Sequence, residues 1–352
     1  MSAMKPKIRL AVLGAGRIAQ VHLQGYHRIR DKVNVCAVVD VREEVAKSTA
    51  TDWGVARTFR TLDELLSGEP CDAVDICLPH DVHLECVEKA CAAGKHVLLE
   101  KPIARTLAEA DRIISAADRR ALTVMVAHNH VFNPVVEKAK QMIDEGLIGR
   151  PHLARVDSFG WLLFAPNDFR QSKKRTGGGV FIDTGTHFVY ILRYLFGEVQ
   201  SVGAIQNNSV RLEMEGEDNA IVSLRFCSGC LGEITTTYAG RIPGWEHGFP
   251  TGWEQELVIL GEKGAVRLDL TEDQLLLYSE EERFPTAFRG WTTINVPNAY
   301  ADSFNFEIEH FVDSLIHRTT PKVPAIEARK TLEIIDAAYR SAETGRFISL
   351  NG

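Results

Sequence analysis

Over its first 127 residues the chain alternates short apolar runs with amphipathic stretches. The runs Ile8–Leu13, Val33–Val39, Ala73–Leu78, His96–Leu99 and Thr123–Ala127 predict strands covered on both faces. Between them lie helical patterns such as Val82–Ala93, where Val82, Cys86, Val87 and Ala90 share one face. Strand–helix alternation with short connections predicts a doubly wound parallel sheet, with ligands at the carboxyl ends of its strands. Pro134–Glu145 reads as a further amphipathic helix, closed by Gly146 and a Gly149-Arg150-Pro151 turn. The pattern then changes. His152–Ser158, Ser201–Gln206, Ala220–Cys227, Leu231–Tyr238, Glu256–Leu260, Ala265–Leu270 and Gln274–Tyr278 predict strands joined by hairpins, hence an antiparallel sheet. One helix, Phe181–Phe196, interrupts them, and two, Phe304–Arg318 and Ile326–Thr344, follow.

The first strand leads into Gly14-Ala15-Gly16-Arg17-Ile18-Ala19. Gly14 suits a tight turn, Gly16 a close backbone approach, and the helix beginning near Arg17 aims N–H groups at an anion. A dinucleotide pyrophosphate fits, although a packed strand-to-helix turn explains the same glycines. Asp40 ends the second strand, 24 positions after Gly16, close to the roughly 20 expected of a ribose-binding carboxylate. It favours NAD, whereas Arg42 beside it leaves NADP open. Together these features give an α/β reading: a Rossmann domain over residues 5–128, then an α+β domain with a large, mostly antiparallel open sheet over residues 129–352. The cofactor-binding candidates are Gly14, Gly16, Arg17, Ile18, Asp40, Arg42, Leu78, Pro79, His83, Glu100, Lys101 and Asn129.

Composition narrows the function. The 352 residues are 45% hydrophobic and 25% charged, an ordinary globular balance. A net charge of −7 argues against nucleic acid, and Lys173-Lys174-Arg175 is the one basic run. No apolar stretch nears the ~18 residues of a membrane span. Met1–Lys7 lacks the apolar core of a signal peptide, so a cytoplasmic location is expected. Seven cysteines suggest no disulfide framework. Cys227-Ser228-Gly229-Cys230 reads as a hairpin turn and not a zinc site, and no metal is expected.

Two motifs carry the candidate chemistry. Glu100-Lys101-Pro102 follows a buried strand, and proline holds the preceding lysine extended, out from the sheet edge. A lysine beside a nicotinamide can donate to a substrate oxygen and favour its alkoxide. Thr176-Gly177-Gly178-Gly179 opens the helix carrying Asp183 and His187, four apart and so on one face. A carboxylate beside an imidazole suits a general base.

These motifs, with Gly146-Leu147-Ile148-Gly149 and the terminal Ala337-Ala338-Tyr339-Arg340-Ser341-Ala342 and Gly345-Arg346, resemble the Gfo/Idh/MocA family (glucose–fructose oxidoreductase and inositol dehydrogenase-like proteins) from end to end. The resemblance implies a tightly held nicotinamide cofactor, NAD by the Asp40 argument. It implies a sugar, sugar-derivative or cyclitol substrate and a homodimer or homotetramer formed through the C-terminal sheet. It implies Lys101 polarising the reacting oxygen, with Asp183 and His187 contacting the reacting hydroxyl and His187 accepting its proton. The chain departs from the family where a second Asp often stands, at Tyr190, and at Asn129-His130-Val131-Phe132. Substrate-facing candidates are His130, Phe169, Arg170, Asp183, His187, Tyr190, Trp161 and Trp245. The expected activity is that of an NAD(P)-dependent dehydrogenase. The rivals are redox-neutral glycoside cleavage through a transient keto-sugar and a non-catalytic sugar-sensing regulator.

Overall fold

The computed structural model describes residues 7–165, 167–241, 253–280, 282, 288–297 and 299–350. The chain divides into two compact units, Met1–Asn129 with Phe304–Arg329, and His130–Ser303 with Lys330–Gly352. The hydrophobic pattern suggests one cut after residue 128. It carries no mark of the return of Phe304–Arg329 to the first unit.

In the first unit, β1 (Ile8–Leu13), β2 (Val33–Val39), β3 (Arg57–Phe59), β4 (Ala73–Ile76), β5 (His96–Glu100) and β6 (Val124–Ala127) form a parallel sheet of order β3-β2-β1-β4-β5-β6. Leu10, Ala11 and Val12 are wholly buried, which is why β1 reads as an unbroken apolar run. The connecting helices are α1 (Arg17–Arg28), α2 (Glu43–Trp53), α3 (Leu62–Gly68), α4 (His83–Ala92) and α5 (Leu107–Asp118). Thr61 and Thr106 cap α3 and α5, each accepting at 3.2 Å from the backbone N–H three residues on. The strand order reverses at β1, so the crevice for a ligand lies where the chain leaves β1 and β4.

The second unit begins with α6 (Pro134–Asp144), capped by Asn133. Its sheet contains β7 (Pro151–Gly160), β8 (Val199–Asn207), β9 (Asn219–Phe226), β10 (Leu231–Thr237), β11 (Trp253–Gly261), β12 (Gly264–Asp269), β13 (Gln274–Ser279), β14 (Gly290–Asn295) and β15 (Ile348–Ser349). Their order is β14-β13-β12-β11-β7-β10-β9-β8-β15, antiparallel except for the central β10–β7 pair. The Cys227–Cys230 segment makes the β9–β10 hairpin, with Gly229 at φ +86°. A single turn, α7 (Lys173–Thr176), and α8 (Thr186–Phe196) lie between β7 and β8. Two long helices follow β14: α9 (Ala299–His317), which belongs to the first unit from Phe304 on, and α10 (Ala325–Thr344), which belongs to the second from Lys330 on. No described helix is long and apolar enough to cross a membrane.

Helix α9 buries Glu307 completely, and neither carboxyl oxygen has a hydrogen-bond partner among the described residues. Burial pushes this carboxyl well above the usual carboxylate range. The native chain therefore keeps a proton that the unfolded chain releases, and stability falls as pH rises from the ordinary value toward the raised one. Glu307→Gln removes that dependence. Its melting temperature should gain on wild type between about pH 5 and about pH 8 in a thermal-shift series, and an equal difference at both values would contradict the assignment.

Candidate active site

Gly14, at the end of β1, has φ +92°, a conformation strained for any side chain. A Cβ there would also overlap the Cys77 carbonyl, by which β4's end packs against the turn. Gly16 is different: a Cβ would meet nothing within 4 Å. Gly16 caps α1 without a side-chain hydrogen bond, and the first turn holds no acidic residue. Open space before the positive end of this helix fits a pyrophosphate. Arg17 is exposed there and Ile18 half-buried. Gly14→Ala should melt several degrees below wild type, through strain and overlap. Gly16→Ala should melt normally yet bind NAD about tenfold or more weakly by calorimetry, because its methyl fills the cradle.

Asp40 lies next to this cradle. Its carboxylate accepts from Ala15 N–H at 3.0 Å and Arg42 N–H at 2.9 Å, and the Arg42 Nε lies 3.1 Å away. Burial opposes ionisation, but these bonds outweigh it and hold the carboxyl below its usual value. Arg42 is folded onto the carboxylate and otherwise exposed. An ionised carboxylate here suits the ribose hydroxyls of NAD once the exposed Arg42 guanidinium, which bonds both its oxygens, swings aside.

The loops after β4 and β5 are held together by His83, the first residue of α4. Its ring is fully buried, with Nδ1 3.0 Å from the Pro102 carbonyl and Nε2 2.8 Å from that of Leu78. The sequence suggests His83 as a cofactor contact; in the structure its two nitrogens face carbonyls on the loops that carry Leu78, Pro79 and Lys101, and the neutral ring that burial favours donates to one of them at a time. The Lys101–Pro102 peptide is cis, and the Lys101 N–H donates to Glu100 Oε2 at 3.1 Å. Asn129, just after β6, is buried.

In the second unit the segment expected as one helix from Phe181 begins as a π turn, Phe181–Gly185, before α8. Such turns occur often at functional sites. The preceding glycines answer a packing demand: a Cβ on Gly179 would overlap the Glu217 backbone, and one on Gly178 the Tyr339 hydroxyl. Glu217 accepts from Gly179 N–H at 2.8 Å, Phe181 N–H at 2.9 Å and the Tyr339 hydroxyl at 2.9 Å. This buried carboxylate fixes the start of the turn.

Asp183 Oδ2 then accepts from Arg170 Nε at 2.9 Å and from the Tyr238 hydroxyl at 2.7 Å. Burial, reinforced by the Asp183 charge, raises the Tyr238 phenol well above its ordinary value, so it stays a donor. A guanidinium and a phenol on one oxygen stabilise the ionised carboxylate. His187 is the one residue of Phe181–Tyr190 that is not buried. Its ring stacks on His130, centroids 4.4 Å apart and planes at 22°. Stacked imidazoles hold one positive charge more readily than two. The carboxylate is anchored, and the imidazole is placed to exchange protons.

Other candidates sit differently. Tyr190 is buried. Phe169 has the Arg170 and Arg175 guanidinium carbons 4.5 and 5.8 Å from its ring centre. Trp161 has those of Arg211 and Arg241 at 4.4 and 3.9 Å, where a sugar would otherwise stack. Trp245 lies outside the described residues. Sequence reasoning missed Tyr238 and Glu217. The signal for Tyr238 was the period-two alternation of β10, where Gly232, Ile234, Thr236 and Tyr238 all point inward.

Residues 8–128 match the model of the oxidoreductase-family NAD-binding Rossmann fold, and residues 140–350 match that of the family's C-terminal alpha/beta domain, both named for Gfo/Idh/MocA. The chain is 29% identical to myo-inositol 2-dehydrogenase of Thermotoga maritima, over 97% of this chain and 98% of that one. It is 28% identical to D-apiose dehydrogenase of Paraburkholderia graminis, over 97% and 89%. Levoglucosan dehydrogenase, solved with NADH and levoglucosan, has the same fold at a TM-score of 0.89 and 22% identity, over 99% and 100%.

Proposed function

This chain belongs to the Gfo/Idh/MocA oxidoreductase family, and from that premise we propose an enzyme that moves a hydride between NAD and a ring hydroxyl or ketone of a sugar, sugar derivative or cyclitol. When bound, the nicotinamide supplies the hydride acceptor for oxidation and the donor for the reverse. His187 takes the hydroxyl proton as the carbon is oxidised. Asp183 orients the hydroxyl and stabilises the imidazolium. The Lys101 ammonium donates to the reacting oxygen and favours its alkoxide. His130, Phe169, Arg170, Tyr190, Trp161 and Trp245 remain the candidates for substrate contact, with Arg170 acting first as the anchor of Asp183. Asp40 favours NAD, while the exposed Arg42 guanidinium is a partner that a 2′-phosphate could recruit.

The observation that carries this reading is the division of labour on one segment: Asp183 held through Oδ2 by Arg170 and Tyr238, His187 the half-buried ring beside it. The named relatives act on a cyclitol and a pentose, which sets the range of polyols to try. The test follows reduced-nicotinamide absorbance with NAD and NADP across cyclitols, pentoses, hexoses, sugar acids and glycosides, with products analysed in the same wells. Net reduction with one class supports the dehydrogenase. Glycoside cleavage without net reduction would replace it with the redox-neutral route, for which the buried Tyr190 is poorly placed as a second acid–base.

The open face of the second sheet supports self-association into a dimer or tetramer. Register sets Ile205 opposite Ile221 and Leu231 opposite Leu153, all four exposed. Cys227 is an exposed thiol, which fits the reducing cytoplasm.

A further inference from the structure

The first unit buries a cluster of titratable groups that the proposed hydride transfer does not use directly. His22 and Tyr26 come from α1, Asp75 from β4 with Cys77 just beyond it, Glu100 from β5 and Glu307 from α9; none is more than 8% exposed. His22 Nδ1 lies 2.8 Å from Asp75 Oδ2, which also accepts from the Tyr26 hydroxyl at 3.0 Å. The Cys77 thiol donates to Asp75 Oδ1 at 3.5 Å. On its other side, His22 Nε2 lies 3.2 Å from Glu100 Oε1, within ion-pair distance though off the hydrogen-bonding line. Glu100 Oε2 accepts the Lys101 N–H. One carboxylate thus joins the buried ring to the loop of the polarising lysine.

We propose that His22 is a positioning residue for Lys101: its imidazolium, held between Asp75 and Glu100, keeps the Glu100 carboxylate in place on the Lys101 backbone N–H. The inference rests on the role given to Lys101 above. Without that cation, two carboxylates face each other in a dry interior, and one takes up a proton. A protonated Glu100 is a weaker acceptor, and the loop loosens. The other neighbours cannot supply a cation, since Tyr26, Cys77 and Glu307 are acids; burial keeps them protonated, so they add no further negative charge. For His22 itself, burial opposes the charge, but the ion pair with Asp75 outweighs it. The His22, Asp75 and Cys77 ligand atoms also lie within 4.8 Å of one another, as cation ligands do. Here each is already bonded to another member of the group, so a proton suffices to hold them.

The test compares His22→Gln with the double variant His22→Gln/Asp75→Asn, using NAD and the fastest alcohol of the substrate panel. His22→Gln should lower kcat/KM roughly 10- to 100-fold. The ascending limb of its pH profile should move to higher pH, because Glu100 then ionises only against a neighbouring charge. Removing that charge with Asp75→Asn should restore about fivefold or more and move the limb back. A wild-type profile in His22→Gln, or no recovery in the double variant, would overturn the proposal. If His22→Gln does not fold, NMR of isotope-labelled histidines in the wild-type protein decides. An imidazolium persisting to about pH 8 supports it, and a neutral His22 ring at about pH 7 overturns it. Lys101→Ala separates the two levels. Full turnover in that variant would remove the role of Lys101, whereas an inactive Lys101→Ala beside an unaffected His22→Gln would overturn the positioning alone.

Discussion

His187→Ala should lose turnover by about a hundredfold or more while NAD binding, read by calorimetry, stays within about twofold of wild type. The size follows from the chemistry. Oxidation of an alcohol leaves a proton to place as the hydride departs, and a positioned imidazole accelerates such steps by roughly 10² to 10⁴. Asp183 is a poor substitute, because the Arg170 guanidinium and the Tyr238 hydroxyl on its Oδ2 favour its ionised form. His130 stacks beside His187 and packs edge-on against Phe188 and Tyr300, so its ring is held in place by neighbours. The loss should therefore fall on kcat, and raising the pH should restore part of it as the alcohol sheds its proton unaided. Unchanged turnover in His187→Ala would end the assignment of this residue as the base.

Lys101→Ala should cost about 10² to 10³ in kcat/KM, the magnitude that follows loss of one donor to a developing oxyanion. Its signature differs from that of His187→Ala. Higher pH should not rescue it, because what is missing is a positive charge that stabilises the alkoxide and not a proton acceptor. Lys101→Arg should recover little, since the planar fork cannot reproduce a compact ammonium on a fixed loop. Steady-state kinetics of both variants from about pH 6 to about pH 10 would separate the two roles. A lysine variant rescued by base would reverse them.

The local signals in the sequence were strong where one face or both faces of an element are covered. The apolar runs of β1, β2, β4, β5 and β6, and the glycine turn after β1, follow from burial and φ and needed no tertiary knowledge. Three residues at the sheet edge, Arg57–Phe59, form β3 and carry too little pattern to be read. Ile348–Ser349 escapes for the same reason, and Gly290–Asn295 because its two large apolar residues, Trp291 and Ile294, fall on opposite faces. The second sheet reads as mostly antiparallel, and it is; which pair runs parallel, β10–β7, depends on order in space, which alternation does not encode. In the site, Asp183 and His187 stood out by residue type and spacing, but their surroundings did not. Arg170 lies 13 positions from Asp183, and Tyr238 lies 55. The run Gly177-Gly178-Gly179 looked like a helix opening; its reason is Glu217, 38 residues from Gly179, whose backbone leaves no room for a Cβ. A π turn replaces the first turn of an α-helix there, and no local residue announced it.

The most direct test of hydride transfer itself uses an alcohol substrate from the panel carrying deuterium on the carbon to be oxidised. The reduced cofactor is then weighed by mass spectrometry. Direct transfer gives reduced cofactor about one mass unit heavier than NADH, with deuterium in place of one hydrogen on one face of the nicotinamide ring. Unlabelled NADH would show that the hydrogen did not pass from the ring carbon to the cofactor. A glycoside cleaved with no reduced cofactor accumulating would likewise contradict a net dehydrogenase.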